Sequence, residues 1–226
     1  MMRLTVFWAG ALVVLGGLVL SLLGGSAVWS VLGGAKDLTI DGHAEMVRAV
    51  PDGVGDGWKA YGGDEKGTRF STASQITRDK VDQLEVAWVF RTGSLTGREE
   101  LTSRTAFETT PILVEDQLVF CSQFNEVFSI NPATGEENWR YDPQIPTDGR
   151  PANQFTCRGV SYWQDLQEGA SGLCATRLFM GTVDSRLIAL DARTGERCAG
   201  FGNDGEVKIE PSLQLRWPGE FQITSA

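Results

Sequence analysis

Histidine is nearly missing from this chain: His43 is the only one among 226 residues. It lies in a polar, Gly-rich stretch without partner groups around it, and we read it as a solvated linker residue. The four cysteines, Cys121, Cys157, Cys174 and Cys198, form no C-x-x-C pair, which argues against a zinc site. An exported location permits disulfides, and four cysteines allow three connectivities, among which the sequence does not choose. Small buried residues in strands are the other reading of these positions. Basic clusters are lacking too. Twenty Lys and Arg against 29 Asp and Glu give a net charge of -9, with no basic stripe anywhere. Such a surface repels phosphate backbones and speaks against nucleic-acid binding.

Charge itself is absent from Leu4 to Ala35, a run of 32 residues bracketed by Arg3 and Lys36. A helix that crosses a bilayer needs about 20 apolar residues, and Leu4 to Leu23 supplies them. The apolar region of a cleaved signal peptide usually runs about 7–15 residues, and no clear A-x-A site follows here. Residues 1–35 are therefore expected to form an uncleaved transmembrane anchor, and residues 36–57, with DGVGDG at 52–57, a linker. Arg3 on one side, with Asp37 and Asp41 beyond Lys36 on the other, favours an N-in orientation. The bulk of the chain would then sit outside the cytoplasm, in the periplasm if the cell is Gram-negative.

What is abundant is glycine (27 residues), with seven Trp and many short apolar stretches punctuated by Gly, Asn and Asp. That texture suits short strands joined by tight turns. An internal repeat sharpens it: LVFCSQFNEVFSINPATGE (118–136) lies over LFMGTVDSRLIALDARTGE (178–196) without a gap. Each copy reads strand, tight turn, strand, turn. Asn131 and Asp191 are placed to accept bonds from backbone N–H groups of their turns, and Gly135 and Gly195 tolerate positive φ. A further strand is expected ahead of each copy, ETTPILV (108–114) and CRGVSYW (157–163), and Trp139 marks an outer strand behind the first.

Four strands in meander order, repeated, are the signature of a β-propeller blade. A solenoid or a plain sandwich is the alternative, and the Thr-Gly-x-x-x-Trp spacing tilts the choice. A Trp in the outer strand can dock over the neighbouring blade's turn, a role that Trp139 fits. The second copy carries Cys198, Ala199 and Gly200 where that Trp would fall. LEVAWVFRTG (84–93) resembles an outer strand with Trp88 placed like Trp139, yet no inner strands precede it. The expected blades span about residues 106–141 and 155–201, and FQITSA begins a third. Because propellers have roughly 4–8 blades, we expect an N-terminal part of a larger propeller.

Five segments carry a family likeness: WKAYGGDEKGTRFS (58–71), QLEVAWVFRTG (83–93), ETTPILVEDQLVFC (108–121), NPATGEENWRYDP (131–143) and TCRGVSYW (156–163). In this order they resemble the membrane-bound quinoprotein dehydrogenases, the glucose, quinate and glycerol dehydrogenase group. The resemblance implies an all-β fold, a partial eight-bladed propeller of four-stranded antiparallel blades over residues 58–226, which the one transmembrane helix expected from the charge-free run would precede. It implies pyrroloquinoline quinone near the axis with a divalent cation, Ca or Mg, that polarises the quinone carbonyl. It further implies oxidation of a sugar, polyol or cyclic alcohol, and electron transfer to ubiquinone in the membrane.

By the same resemblance Glu108 matches a cofactor-pocket Glu, and Arg158 matches an Arg that holds a cofactor carboxylate. A guanidinium fork suits a planar tricarboxylate. Gln154 stands where the glucose dehydrogenase pattern has a His; its amide can bond a quinone or sugar oxygen but carries no charge. The family's catalytic Asp, its pocket Lys and its metal-binding region are expected downstream of Ala226, so no catalytic or metal residue is assigned. A non-enzymatic propeller scaffold of the outer-membrane assembly type is the alternative. Such lipoproteins need a lipidated Cys soon after the signal segment, whereas the first Cys here is Cys121.

Overall fold

The computed structural model describes residues 57–209 and 214–225. The expected anchor and most of the expected linker, with His43, lie outside the described residues. Among the described residues no helix is long and apolar enough to cross a membrane.

Two four-stranded antiparallel sheets follow one another. The first contains β2 (Ile112–Val114), β3 (Gln117–Cys121), β4 (Val127–Ile130) and β5 (Glu137–Tyr141), hydrogen-bonded in sequence order. The second contains β7 (Ser161–Gln164), β8 (Thr176–Gly181), β9 (Arg186–Asp191) and β10 (Glu206–Lys208), in the same order. Ahead of each sheet lies a short strand, β1 (Thr105–Phe107) and β6 (Phe155–Cys157), and these two pair in parallel. The architecture is all-β and propeller-like, with successive meander sheets as blades. Of the single strands expected at 108–114 and 157–163, the first shortens to β2 and the second is divided between the end of β6 and β7. In the first, Pro111 has no N–H to give a ladder, and β2 starts only after it.

The repeated halves fold alike. The β3–β4 and β8–β9 hairpins turn through Asn125 and Ser185, at φ of 61° and 68°. At the following turn Asn131 Oδ1 accepts from Ala133 N (2.8 Å) and Thr134 N (3.2 Å). Asp191 Oδ1 accepts from Arg193 N (2.9 Å) and Thr194 N (3.0 Å). Gly135 and Gly195 both sit at φ of 74°, as those turns require.

Each of these glycines carries an indole from the preceding unit. A Cβ on Gly135 would fall 2.6 Å from Cδ2 of Trp88, and one on Gly195 would fall 2.7 Å from Cδ2 of Trp139. The Trp88 Nε1–H donates to Pro132 O at 3.1 Å. Both dockings agree with the sequence reading, but residues 84–93 form no strand ladder. Phe90 of this segment packs edge-on against Phe120 and Phe128 at 5.9 and 5.7 Å between centroids. The second blade departs from expectation at its outer strand. Cys198 pairs with Cys174, the chain turns through residues 199–205, and β10 returns beside β9 with Glu206 opposite Ile188. The blade therefore extends to Lys208 rather than ending near residue 201.

Both faces of the first blade are buried, and the period of two decides which side chain goes where. Val119 and Cys121 of β3 join Val127 in a cluster that continues into Leu178, Met180, Ile188 and Leu190 of the second blade. The alternate positions Leu118, Phe120, Phe128 and Ile130 face the other way, against Trp88 and Phe90. Burying a ring such as Phe128, fully inaccessible here, contributes about 1.5–3 kcal/mol.

Polar links cross the same joint. Glu115, in the β2–β3 turn, accepts from the Tyr162 hydroxyl and from Arg193 Nε, each at 2.6 Å. Burial pushes the Glu115 carboxyl up, but these two donors outweigh it and hold the group below the ordinary Glu value. Tyr162 is pushed the other way, upward, by burial and by the same carboxylate. All four cysteines are paired, Cys121 with Cys157 and Cys174 with Cys198.

Candidate functional site

The parallel register of β1 and β6 sets Phe107 beside Cys157. The next residue on each strand is therefore Glu108 and Arg158, side by side where the two strands end. A third segment continues the series, since Arg158 N donates to Thr224 O at 2.9 Å. Side chains converge at this level. Arg158 Nη1 donates to Thr224 Oγ1 at 3.0 Å, Thr156 Oγ1 donates to Glu108 Oε2 at 3.2 Å, and Arg158 Nε lies 3.4 Å from the same carboxylate oxygen. The Thr110 amide donates to Arg158 O at 3.0 Å, which ties β6 back to the segment after Glu108.

The Glu108–Arg158 pair is 41% and 43% exposed, so its own attraction amounts to about 0–1 kcal/mol. Those values mean that both groups remain open to an incoming ligand. Among the described residues Arg158 Nη2 has no hydrogen-bond partner, and it is the prong of the guanidinium fork left for one.

Strand alternation sets Gln154, Thr156 and Arg158 on one face of β6, while Phe155 and Cys157 turn into the cores. Gln154 is half-buried two positions above Thr156, and its backbone carbonyl accepts from Gln222 Nε2 at 3.4 Å. Glu108 and Arg158 are thus brought together, and Gln154 shares their face without a side-chain hydrogen bond to either. The sequence reading missed Thr156 and Thr224. FQITSA reads as the start of a third unit, and aligning its inner segment with those of the first two puts Thr224 level with Arg158.

Arg158 also borders a cleft of about 520 Å³ whose opposite wall is the 59–69 loop, including Lys59, Tyr61 and Arg69. The loop is closed by Arg69 N donating to Gly62 O at 2.8 Å. Thr68 donates to both carboxylate oxygens of Asp64, through N at 3.0 Å and Oγ1 at 2.8 Å. The Thr68 amide and hydroxyl hold the Asp64 carboxyl below its ordinary value. Gly62 is required here, since a Cβ would collide with the Gly67 backbone. Among the described residues no group of three His, Cys, Asp or Glu side chains converges in the manner of a metal site.

Consecutive four-stranded antiparallel blades with Trp-on-Gly joints between them define a β-propeller-like fold. Residues 58–226 match the family described as the PQQ glucose/ethanol/alcohol dehydrogenase beta-propeller domain, and the chain belongs to that family. It is 42% identical over 168 residues to the glycerol dehydrogenase large subunit of Gluconobacter oxydans, covering 74% of this chain and 22% of that one. It is 35% identical over 216 residues to the quinoprotein glucose dehydrogenase of Escherichia coli, covering 92% of this chain and 27% of the relative. Among solved structures, the quinohemoprotein alcohol dehydrogenase of Comamonas testosteroni superposes with a TM-score of 0.57 at 26% identity, covering 80% of this chain and 23% of that chain. The chain thus spans about a quarter of the length of the curated relatives it matches.

Proposed function

We propose that this chain is part of a quinoprotein dehydrogenase that oxidises a sugar, polyol or cyclic alcohol, and that Glu108, Thr156, Arg158 and Thr224 form its share of the cofactor pocket. The observation that carries the reading is the convergence of those four side chains at one level of three adjacent inner segments. The donor set fits pyrroloquinoline quinone, a planar tricarboxylate. Arg158 offers a guanidinium fork to a carboxylate, the two threonine hydroxyls give and take hydrogen bonds, and Glu108 accepts. When bound, the quinone supplies a two-electron acceptor for the hydride of an alcohol carbon.

The work of this chain's residues is binding and orientation. Thr156 and Glu108 fix the Arg158 guanidinium from one side, and Thr224 fixes it from the other. Gln154, on the same face, would bond a cofactor or substrate oxygen without moving a proton, since an amide does not titrate. Glycerol and glucose appear in the names of the relatives above, which supports a polyhydroxy substrate. A propeller of eight blades, a Ca or Mg ion, a periplasmic placement, a membrane anchor at residues 1–35 and ubiquinone as electron acceptor complete the reading. The anchor rests on the charge-free run from Leu4 to Ala35.

Titration of the purified chain with pyrroloquinoline quinone, followed by its absorbance and fluorescence, tests the pocket. Weak but saturable binding is expected, because this chain provides only part of the wall. Arg158→Ala should weaken it about 10–100-fold, the loss for a charged hydrogen-bonding group of about 1.5–3 kcal/mol. Equal affinity of parent and variant, or no binding by the parent, would overturn the assignment.

A further inference from the structure

Cys121 is joined to both strands of the site. Its sulfur is bonded to Cys157, the last residue of β6, which stands between Thr156 and Arg158. Its backbone N–H donates at 3.3 Å to Thr109 Oγ1, the residue directly after Glu108. Cys121 is itself the last residue of β3, held in the first blade's ladder opposite Val127. One residue of a rigid sheet thus holds the neighbour of Glu108 by a hydrogen bond and the neighbour of Arg158 by a covalent bond.

Phe155 and Cys157 bury β6 in the two cores, but little backbone pairing fixes its register. The strand is three residues long, and among the described residues its only strand pairing is with β1, which is equally short. Beyond that pairing, and among the described residues, Arg158 has backbone bonds only to Thr110 and Thr224. The other disulfide is placed differently. Cys174–Cys198 closes a loop within the second blade, and Cys174 N donates to Asp191 Oδ2 at 2.5 Å, remote from the inner strands.

We propose that the Cys121–Cys157 disulfide is a positioning pair for the site: it fixes β6 against the first blade so that Arg158 stays level with Glu108 and Thr224. Its consequence for cofactor binding rests on the reading of Glu108 and Arg158 given above; its geometric content does not. Cys121 and Cys157 touch no ligand in this scheme and act only through Thr109, Thr156 and Arg158.

The experiment compares the full chain with two double variants, Cys121→Ala/Cys157→Ala and Cys174→Ala/Cys198→Ala, under conditions where all three are folded. Amide exchange resolved at Thr110 and Arg158 reports the two backbone bonds that register β6. It should quicken about tenfold or more in the first variant and stay within about twofold of the parent in the second. Titration with pyrroloquinoline quinone should show Kd raised about tenfold or more in the first variant only. A disulfide that merely stabilises the fold would give parallel effects in both variants, and that result overturns the proposal. So does first-variant binding as tight as the parent's. If the parent itself binds no quinone, the cofactor reading falls, while exchange at Thr110 and Arg158 still decides the positioning claim. Thr109→Val, which keeps both disulfides, guards against a first variant that does not fold. It should weaken quinone binding about threefold or more, and unchanged binding counts against the role of Cys121 as the common anchor.

Discussion

Replacing Gly195 with alanine probes the joint between the two blades. The residue sits at φ of 74°, and a Cβ would fall 2.7 Å from Cδ2 of the Trp139 ring. Two costs combine. The left-handed backbone costs an L-residue about 1–2 kcal/mol. Displacing a packed ring costs about 1–3 kcal/mol more. Gly195→Ala should therefore destabilise the chain by about 2–5 kcal/mol. Trp139→Ala removes a partly buried indole that packs on the inter-blade cluster and donates to Gln117 Oε1 at 3.0 Å. Its expected cost is about 3 kcal/mol, the lower end for loss of a Trp side chain.

These two changes meet at one contact and should not add. Once the indole is gone the new methyl group strikes nothing, and only the backbone cost remains. The double variant is expected to fall short of the sum of the single losses by about 1 kcal/mol or more. Urea unfolding followed by far-UV circular dichroism, with a common m-value across the four proteins, supplies the cycle. A coupling below about 0.5 kcal/mol, the range of independent sites, would refute the claim that Trp139 closes over Gly195.

Two further outcomes are expected. The depressed Glu115 carboxyl contributes stability that is present above the unfolded Glu value, about 4.3, and is lost as pH falls through its folded value. Glu115→Gln should therefore flatten the drop in melting temperature at acid pH, and superimposable acid limbs for variant and parent would contradict the clamp. Cys174→Ala/Cys198→Ala should lose about 3.5 kcal/mol by the loop-entropy estimate for a separation of 24 residues. An unchanged urea midpoint would show that the bridge does not constrain the unfolded chain.

The parts legible from sequence were those in which local chemistry repeats. Gly135 and Gly195, with Asn131 and Asp191 ahead of them, signal a turn whether or not a sheet surrounds them, and both turns formed as read. Trp139 was recognisable because it follows the Thr134-Gly135 signal at a fixed spacing, and Trp88 because its segment resembles that outer strand. The parallel pairing of β1 with β6 was not legible, since it joins residues 50 apart and three-residue strands carry no measurable periodicity. The displacement of β10 to Glu206 was hidden for a related reason: the Cys174–Cys198 bridge takes the space where an outer Trp would stand, and cysteine spacing does not disclose pairing. Glu108 and Arg158 were found by resemblance, whereas Thr156 and Thr224 emerge only when three separate segments are seen side by side.

The parallel inner strands carry a consequence for how such a pocket diversifies. Glu108, Arg158 and Thr224 come from three successive units, one side chain from each, and none shares a blade with another. Exchanging one of these three side chains alters its own segment and leaves the other two where they were. A site assembled in this way can change by isolated replacements, each confined to one segment.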